Sequence, residues 1–475
     1  MPIQLLLVAL ALTPPPAPVG ALPSEAQIRW HEHEFYGFIH FTTNTFTDKE
    51  WGYGDESPDI FNPSALDTDQ WARVASEAGM TGLILTAKHH DGFCLWPTQH
   101  TAHSVRSSSW RGGAGDVVGD LATSCRAHGL RFGVYLSPWD RNHAAYATPA
   151  YVDVYRAQLA ELIETYGPVF EVWHDGANGG DGYYGGAREN RTIDKATYYD
   201  WPSTWAMIER LAPDAIVFSD VGPGCRWVGN EHGFSAETSW QTISPGNLMP
   251  GMDIKGLDTG DPDGTHWIGV EADVSIRPGW FYHASEDDKV KTPEQLIEIW
   301  YGSVGRGANL LLNIPPDRRG LIHENDIASL TEFRRILDAT FEEDLLRGSS
   351  IGSRSVRAAA DARFEPANLL DSNPETYWAT PEGITAAAVE LTLPERRTID
   401  VIKLREHIRL GQRIESFALD YWADGQWKEF AQGTTIGPRR ILRTERITTD
   451  RLRLRITGCR GDAIVLADFS AYCRP

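Results

Sequence analysis

Short apolar runs alternate along the chain with longer stretches whose apolar residues recur every three or four positions. Tyr36-Gly37-Phe38-Ile39-His40-Phe41-Thr42, Gly82-Leu83-Ile84-Leu85-Thr86-Ala87-Lys88, Arg131 to Ser137, Phe170 to Trp173 and Ala215 to Asp220 read as strands, because brief apolar runs closed by turn residues are strand-like. Between the first two, Leu66, Trp71, Val74, Ala75 and Ala78 share one helical face, with acids from Asp67 to Asp69 in the first turn and Gly79 as the stop. Further helices are predicted over Asp116 to His128, over the segment carrying Tyr151, Tyr155, Leu159, Leu162, Ile163 and Tyr166, and over Trp201 to Leu211. From Arg226 to Trp280 no period is clear, and a sixth strand cannot be placed. Regularity returns with a helix near Leu296 to Val304, the run Asn309-Leu310-Leu311-Leu312-Asn313-Ile314, and a helix from Ile327 to Phe341.

Strands alternating with helices at this spacing imply a parallel sheet with crossover helices. Polar and aromatic residues gather at the strand ends and no phosphate-binding glycine fingerprint follows the first strand, so a (β/α)8 TIM-like barrel over residues 23–346 is expected rather than an open doubly wound sheet. Beyond Gly348-Ser349-Ser350 the texture changes. Val389, Leu391 and Leu393 alternate with polar residues, as do Leu452, Leu454 and Ile456, and an Asp424-Gly425 turn separates two aromatic strand segments. Residues 349–475 therefore read as a separate all-β, jelly-roll-like sandwich. Within it, Asn368-Leu369-Leu370-Asp371-Ser372-Asn373-Pro374-Glu375-Thr376-Tyr377-Trp378 resembles the opening of discoidin-like (F5/8 type C) modules, many of which bind sugars. It is read either as a structural brace for the barrel or as an independent carbohydrate site.

The 475 residues predict two or three domains. A formal charge of −21 argues against nucleic acid or an anionic membrane as partner; a neutral ligand is unaffected. The 17 Trp, 16 Tyr and 17 Phe provide for aromatic-lined surfaces of the kind carbohydrates use, though a large core uses them too. Five cysteines without zinc-like spacing indicate neither a disulfide framework nor a structural metal, with Cys459 and Cys473 the one pair that could join. The first 22 residues read as a leader. Leu5 to Leu12 followed by prolines and Val19-Gly20-Ala21 resembles a signal peptide without its basic start, which would place the protein outside the cytoplasm or in the periplasm; a disordered proline-rich leader on a cytoplasmic protein is the alternative. No feature fixes an oligomeric state.

Candidate chemistry centres on Phe170-Glu171-Val172-Trp173-His174-Asp175-Gly176-Ala177-Asn178, a strand that ends by delivering an acid. Alternate residues of a strand share a face, so Trp173 and Asp175 enter one cavity. An indole beside a carboxylate suits a sugar, with its apolar face and polar rim; the plain alternative is that Asp175 only opens an Asp-Gly turn. Cleaving a glycosidic bond takes two carboxyl groups. Glu231, between Trp227, Asn230 and His232, is the candidate partner, with Glu237 and Glu271 as rivals. His89-His90-Asp91 invites a metal reading, but neighbours on an extended strand point to opposite sides and no HxH or HExxH spacing is present, so hydrogen bonding to sugar hydroxyls is the better reading. His40 joins the same rim, and Trp51, Trp139 and Trp280 offer apolar faces.

Taken in order, Phe38-Ile39-His40-Phe41, Asp48-Lys49-Glu50-Trp51-Gly52, Ala87-Lys88-His89-His90-Asp91-Gly92-Phe93-Cys94-Leu95-Trp96-Pro97, Tyr135-Leu136-Ser137-Pro138-Trp139-Asp140, Val172-Trp173-His174-Asp175-Gly176-Ala177-Asn178 and Arg226-Trp227-Val228-Gly229-Asn230-Glu231 resemble the α-L-fucosidases of glycoside hydrolase family 29. The resemblance runs from about Pro23 to the end of the barrel and implies a retaining mechanism, with Asp175 as nucleophile and no cofactor or metal. The Arg226 to Glu231 motif is similar to that of the branch acting on α-1,3 and α-1,4 fucose in Lewis-type glycans, which makes Glu231 the acid/base. It further implies His40, Glu50, Trp51, His89, His90, Trp139, Trp173 and Trp280 as substrate-binding residues, and a fucosylated glycan as the partner. Alternatives are a broader enzyme acting on aryl fucosides or α-1,2 links, and a fucose-binding lectin without turnover. Two departures, His174 where Phe or Leu is common and Gly224-Cys225 where an aspartate and an aliphatic residue are usual, leave rate and aglycone preference open.

Overall fold

The computed structural model describes residues 13–252, 255–359 and 361–475, so the apolar run Leu5 to Leu12 of the leader lies outside the described residues. Eight parallel strands close into a barrel: β1 Phe35–Ile39, β2 Gly82–Lys88, β3 Arg131–Leu136, β4 Val169–Trp173, β5 Ile216–Ser219, β6 Cys225–Trp227, β7 Gly269–Ser275 and β8 Asn309–Asn313. Each lies beside its neighbours in sequence, β8 closing on β1. The runs read as strands are continuous because both faces are covered. Phe38, Trp173, Phe218 and Leu311 fill the interior, while Phe35, Leu83, Val134 and Leu310 meet the outer helices.

Helix α1 is Glu25–His31, ahead of β1; α2 Thr68–Glu77, α3 Val117–Ala127, α4 Pro149–Tyr166 and α5 Trp201–Leu211 follow β1 to β4, and α6 Pro293–Gly302 and α7 Glu324–Phe341 follow β7 and β8. Local chemistry sets their ends. Asp67 and Asp116 accept the N–H groups of Gln70 and Gly119 as N-caps, and Gly79, at φ +84°, takes the left-handed turn that ends the segment after α2.

Among the described residues no helix follows β5 or β6. Residues 220–224 lead directly into β6, and the described residues of the segment 228–268 carry only a two-stranded pair, Thr242–Ile243 with His266–Trp267. This explains the missing sixth strand: at three residues β6 is too short to show a period. On this flank α1 takes the place of an outer helix, with Gln27 Nε2 donating to the carbonyls of Gly224 (2.9 Å) and Trp267 (2.6 Å).

An antiparallel domain follows, with β9 Ser350–Ser353, β10 Ala387–Arg405, β11 Ile414–Ala423, β12 Gln426–Gly433, β13 Arg440–Cys459 and β14 Asp468–Tyr472. The sheet order is β9-β10-β13-β11-β12, with β14 also paired to β10. Asp424 and Gly425 both have positive φ and join β11 to β12, the geometry a two-residue hairpin requires. The alternating apolar residues Val389, Leu391, Leu452 and Leu454 form its core with Trp378 and Phe469. All five cysteines are free thiols, Cys459 and Cys473 included.

The two domains are locked together by buried arginine. Arg439, 1% exposed, donates to the carbonyls of His31 (3.2 Å), Val304 (3.1 Å) and Ala308 (3.2 Å) and pairs with Glu34 at 2.6 Å. Arg440 pairs with Glu237, and Arg443 with Glu298 of α6. The segment before α1 lies on the sandwich, with Val19 N–H bonded to the Leu410 carbonyl (3.1 Å) and Arg413 to that of Ala17 (2.5 Å).

Candidate active site

At the C-terminal ends of the barrel strands lies a cavity of about 180 Å³, below the ~300 Å³ at which drug-sized pockets begin and suited to one monosaccharide unit. A groove of about 740 Å³ between α1 and α5 is larger, but it brings no buried carboxyl or histidine together. His40, Glu50, Trp51, His89, His90, Trp173, Asp175, Glu231 and Trp280 all line the small cavity. Trp139 does not. Its ring stands behind His90 and Trp51, at 5.3 and 5.6 Å, with its N–H on the Tyr184 hydroxyl. Tyr135 and Asp273, not expected as site residues from the sequence, line the cavity too, with Phe38 and Ala177.

Asp175 projects from the end of β4 and is a quarter exposed. Its Oδ2 accepts from the Tyr135 hydroxyl at 2.9 Å and lies 3.8 Å from His90 Nε2; its Oδ1 accepts the Ala177 N–H at 2.7 Å. The carboxylate is thus both the opener of a turn and a fixed group on the cavity wall. Gly176 is required beside it: a Cβ there would come within 2.2 Å of the Asp220 carboxylate. Burial, with the nearby Asp175 charge, raises Asp220 to about 6.

The histidines are held neutral. Burial lowers His40 to about 3, against a hydrogen bond to Asn313 Oδ1 (2.8 Å), and pushes His89 well below its usual range. His90 is lowered for the same reason, with the Asp175 charge opposing; its Nδ1 sits 2.7 Å from the Ser137 hydroxyl. The expectation that His89 and His90 point to opposite sides is corrected. Their rings lie 4.2 Å apart on the same cavity, because the strand ends at Lys88 and the chain turns, with Gly92 N–H bonded to the His89 carbonyl. Asp91 instead turns inward to the hydroxyls of Thr42 (2.8 Å) and Thr43 (2.5 Å).

Glu231 reaches the cavity from the exposed segment after β6. Asp273, buried on β7, accepts from Trp227 Nε1 at 2.7 Å. Burial and then the Glu231 and Glu271 charges hold its carboxyl well above the usual range. The rivals to Glu231 lie elsewhere: Glu237 pairs with Arg306 and Arg440 at the domain boundary, and Glu271 is buried beneath the cavity. Glu50 clamps a loop as well as lining the wall, accepting the N–H groups of Trp280 (2.9 Å) and Phe281 (3.1 Å). The two sequence departures avoid the cavity. His174 points outward to the Tyr155 hydroxyl of α4 (2.8 Å), and Cys225 sits in the barrel interior beside Glu171.

Barrel strands that converge two or more carboxyls, neutral imidazoles and indole faces on a monosaccharide-sized cavity define a glycoside hydrolase. The alpha-L-fucosidase family matches residues 19–340 and the F5/8 type C domain residues 350–468. Alpha-L-fucosidase 1 of Arabidopsis thaliana is 41% identical over 96% of this chain and 88% of its own. Among solved structures, a glycoside hydrolase 29 family member from an unknown rumen bacterium is 40% identical, with TM-score 0.85 over 96% of this chain and 78% of that one. A Ruminococcus gnavus GH29 fucosidase in complex with fucose is 31% identical, with TM-score 0.88 over 98% and 97%. The chain belongs to the alpha-L-fucosidase family.

Proposed function

We propose that this α-L-fucosidase is a retaining exo-enzyme that removes terminal α-1,3- or α-1,4-linked L-fucose from branched, Lewis-type glycans. The observation that carries the reading is that Asp175, fixed by Tyr135 and the Ala177 N–H, borders the same one-sugar cavity as Glu231. Asp175 attacks C1 of fucose while Glu231 protonates the departing sugar oxygen. Glu231 then takes a proton from water as that water attacks C1 and releases Asp175. Double displacement of this kind asks for carboxyls about 5 Å apart and no cofactor. His40, His89 and His90, kept neutral by burial, are the hydrogen-bonding partners of the fucose hydroxyls, and Trp51, Trp173 and Trp280 offer its methyl and ring carbons apolar faces. The linkage follows from the likeness of Arg226-Trp227-Val228-Gly229-Asn230-Glu231 to the α-1,3/1,4-acting branch.

One observation favours a second assignment of the proton donor. Asp273 is a buried acid lining the same cavity, and burial pushes its carboxyl well above the usual range, the direction a general acid needs, whereas Glu231 sits on an exposed segment.

The test is hydrolysis of defined α-1,2, α-1,3, α-1,4 and α-1,6 fucosylated oligosaccharides and an aryl fucoside by the wild type, Asp175→Ala, Glu231→Ala and Asp273→Asn. Release from the α-1,3 and α-1,4 substrates, loss with Asp175→Ala rescued by azide, and a larger loss with Glu231→Ala than with Asp273→Asn are expected. Equal rates on all links support the broader enzyme. Fucose binding without any release supports the lectin.

A further inference from the structure

Beneath the sugar cavity the barrel interior holds a second pair of acids that the reaction does not use. Glu171 of β4 and Glu271 of β7 are fully buried, with a carboxyl oxygen of each within 4.8 Å of the other and of Cys225 Sγ. Two buried carboxyls this close, with no cation beside them among the described residues, share a proton, so the pair is one acid and one carboxylate. The neighbours identify which is which. Glu271 Oε1 accepts from Trp173 Nε1 at 2.8 Å, and its Oε2 from the Tyr36 hydroxyl. With a strong N–H or O–H donor on each oxygen, Glu271 is the ionised member. Glu171 accepts from Trp30 Nε1 at 3.0 Å on one oxygen and from the weak thiol donor of Cys225, at a long 4.0 Å, on the other; with the weaker set of donors it bears the shared proton.

The surroundings are otherwise uncharged in contact. Tyr36 comes from β1, Cys225 from β6 and Asp273 follows two residues along β7, while Arg226 next to Cys225 turns outward to the carbonyls of Leu257, Ile268 and Trp240. Among the described residues neither glutamate has an ion pair. Burial, reinforced for Glu171 by its partner's charge, accordingly moves both carboxyls upward. The output of the cluster is Trp173. Its ring is stacked on Phe218 at 4.0 Å and 8°, and it ends β4 two residues before Asp175, lining the same cavity.

We propose that Glu171 and Glu271, sharing one proton, are positioning residues for the sugar site: Glu271 fixes the Trp173 indole through its N–H, and Glu171 holds Glu271 without adding a second buried charge. This rests on the reading of the Asp175 cavity as the sugar site.

The experiment compares kcat and KM on an aryl α-L-fucoside, together with thermal unfolding, for Glu171→Gln, Glu171→Ala, Glu271→Gln, Trp173→Phe and the Glu271→Gln/Trp173→Phe double variant. In Glu171→Gln the amide N–H replaces the shared proton, so kcat/KM stays within about threefold of wild type, less than the loss of a hydrogen bond to a charged group, while Glu171→Ala loses more. Glu271→Gln turns an amide N–H toward a donor, so kcat/KM falls roughly 10- to 100-fold, mainly through KM. Trp173→Phe, which removes the donor, gives a similar fall, and the double variant is no worse than the worse single one. Equal losses in the two glutamine variants, or an additive double variant, would overturn the proposal. If Glu271→Gln does not fold, a Trp173→Phe variant with unchanged KM overturns it alone. Wild type without activity on any fucoside would instead sink the reading of the cavity itself.

Discussion

Asp175 is oriented by one side chain, the Tyr135 hydroxyl at 2.9 Å, and one backbone N–H. A hydrogen bond to a charged group is worth about 1.5–3 kcal/mol. Tyr135→Phe should therefore cut kcat/KM roughly 10- to 100-fold with little change in thermal unfolding, measured on an aryl fucoside; an unchanged rate would mean that Asp175 holds its place without it. Sequence named most of the cavity: alternation gives Trp173 and Asp175 one face, and His40, His89 and His90 stand at strand ends, although alternation alone would have put His89 and His90 on opposite sides. It missed Tyr135 and Asp273 for different reasons. Tyr135 lies inside an apolar run and reads as core, which its ring also is. Asp273 lies two residues beyond Glu271 on a strand hidden in the segment without a clear period. Asp91 gives a pH test at the same scale. Burial raises it to about 7, so the folded chain keeps a proton that the unfolded chain releases near pH 4, and this contribution to stability is lost as pH rises from about 4 through 7. Asn at 91 does not titrate. Denaturant unfolding should show the stability of Asp91→Asn relative to wild type growing between pH 5 and pH 8; a difference independent of pH would contradict the assignment.

At the scale of elements, the barrel departs from a regular alternation on one flank. With no helix after β5 or β6 among the described residues, α1 and the 228–268 segment lie on this flank, and the sandwich holds that segment through Gln412, bonded to Ser239 and Gln241. Arg439 is the joint of that arrangement, a buried cation satisfied by three barrel carbonyls and Glu34. Removing one member of a buried pair typically costs about 3–5 kcal/mol. Arg439→Ala should lower the unfolding free energy by about that amount in denaturant titration, and a loss below about 1 kcal/mol would show that the interface does not brace the barrel. The helices were legible because caps and apolar faces coincide, as in α2 with Asp67 and Gly79. Strand β6 was not, because its register is set by pairing with Phe218, Ser219 and Gly269 to Glu271 rather than by its own three residues.

Over the whole molecule, a formal charge of −21 and a small cavity with both carboxyls and indoles fit a neutral sugar better than any polyanion. The sandwich contributes arginines to the barrel through Arg439, Arg440 and Arg443, which favours its role as a brace. The proposed covalent bond from Asp175 to fucose is the step on which the mechanism depends. Proton NMR of the first sugar released from an aryl α-L-fucoside tests it directly: α-L-fucose before mutarotation is expected, and β-L-fucose appearing first would contradict it.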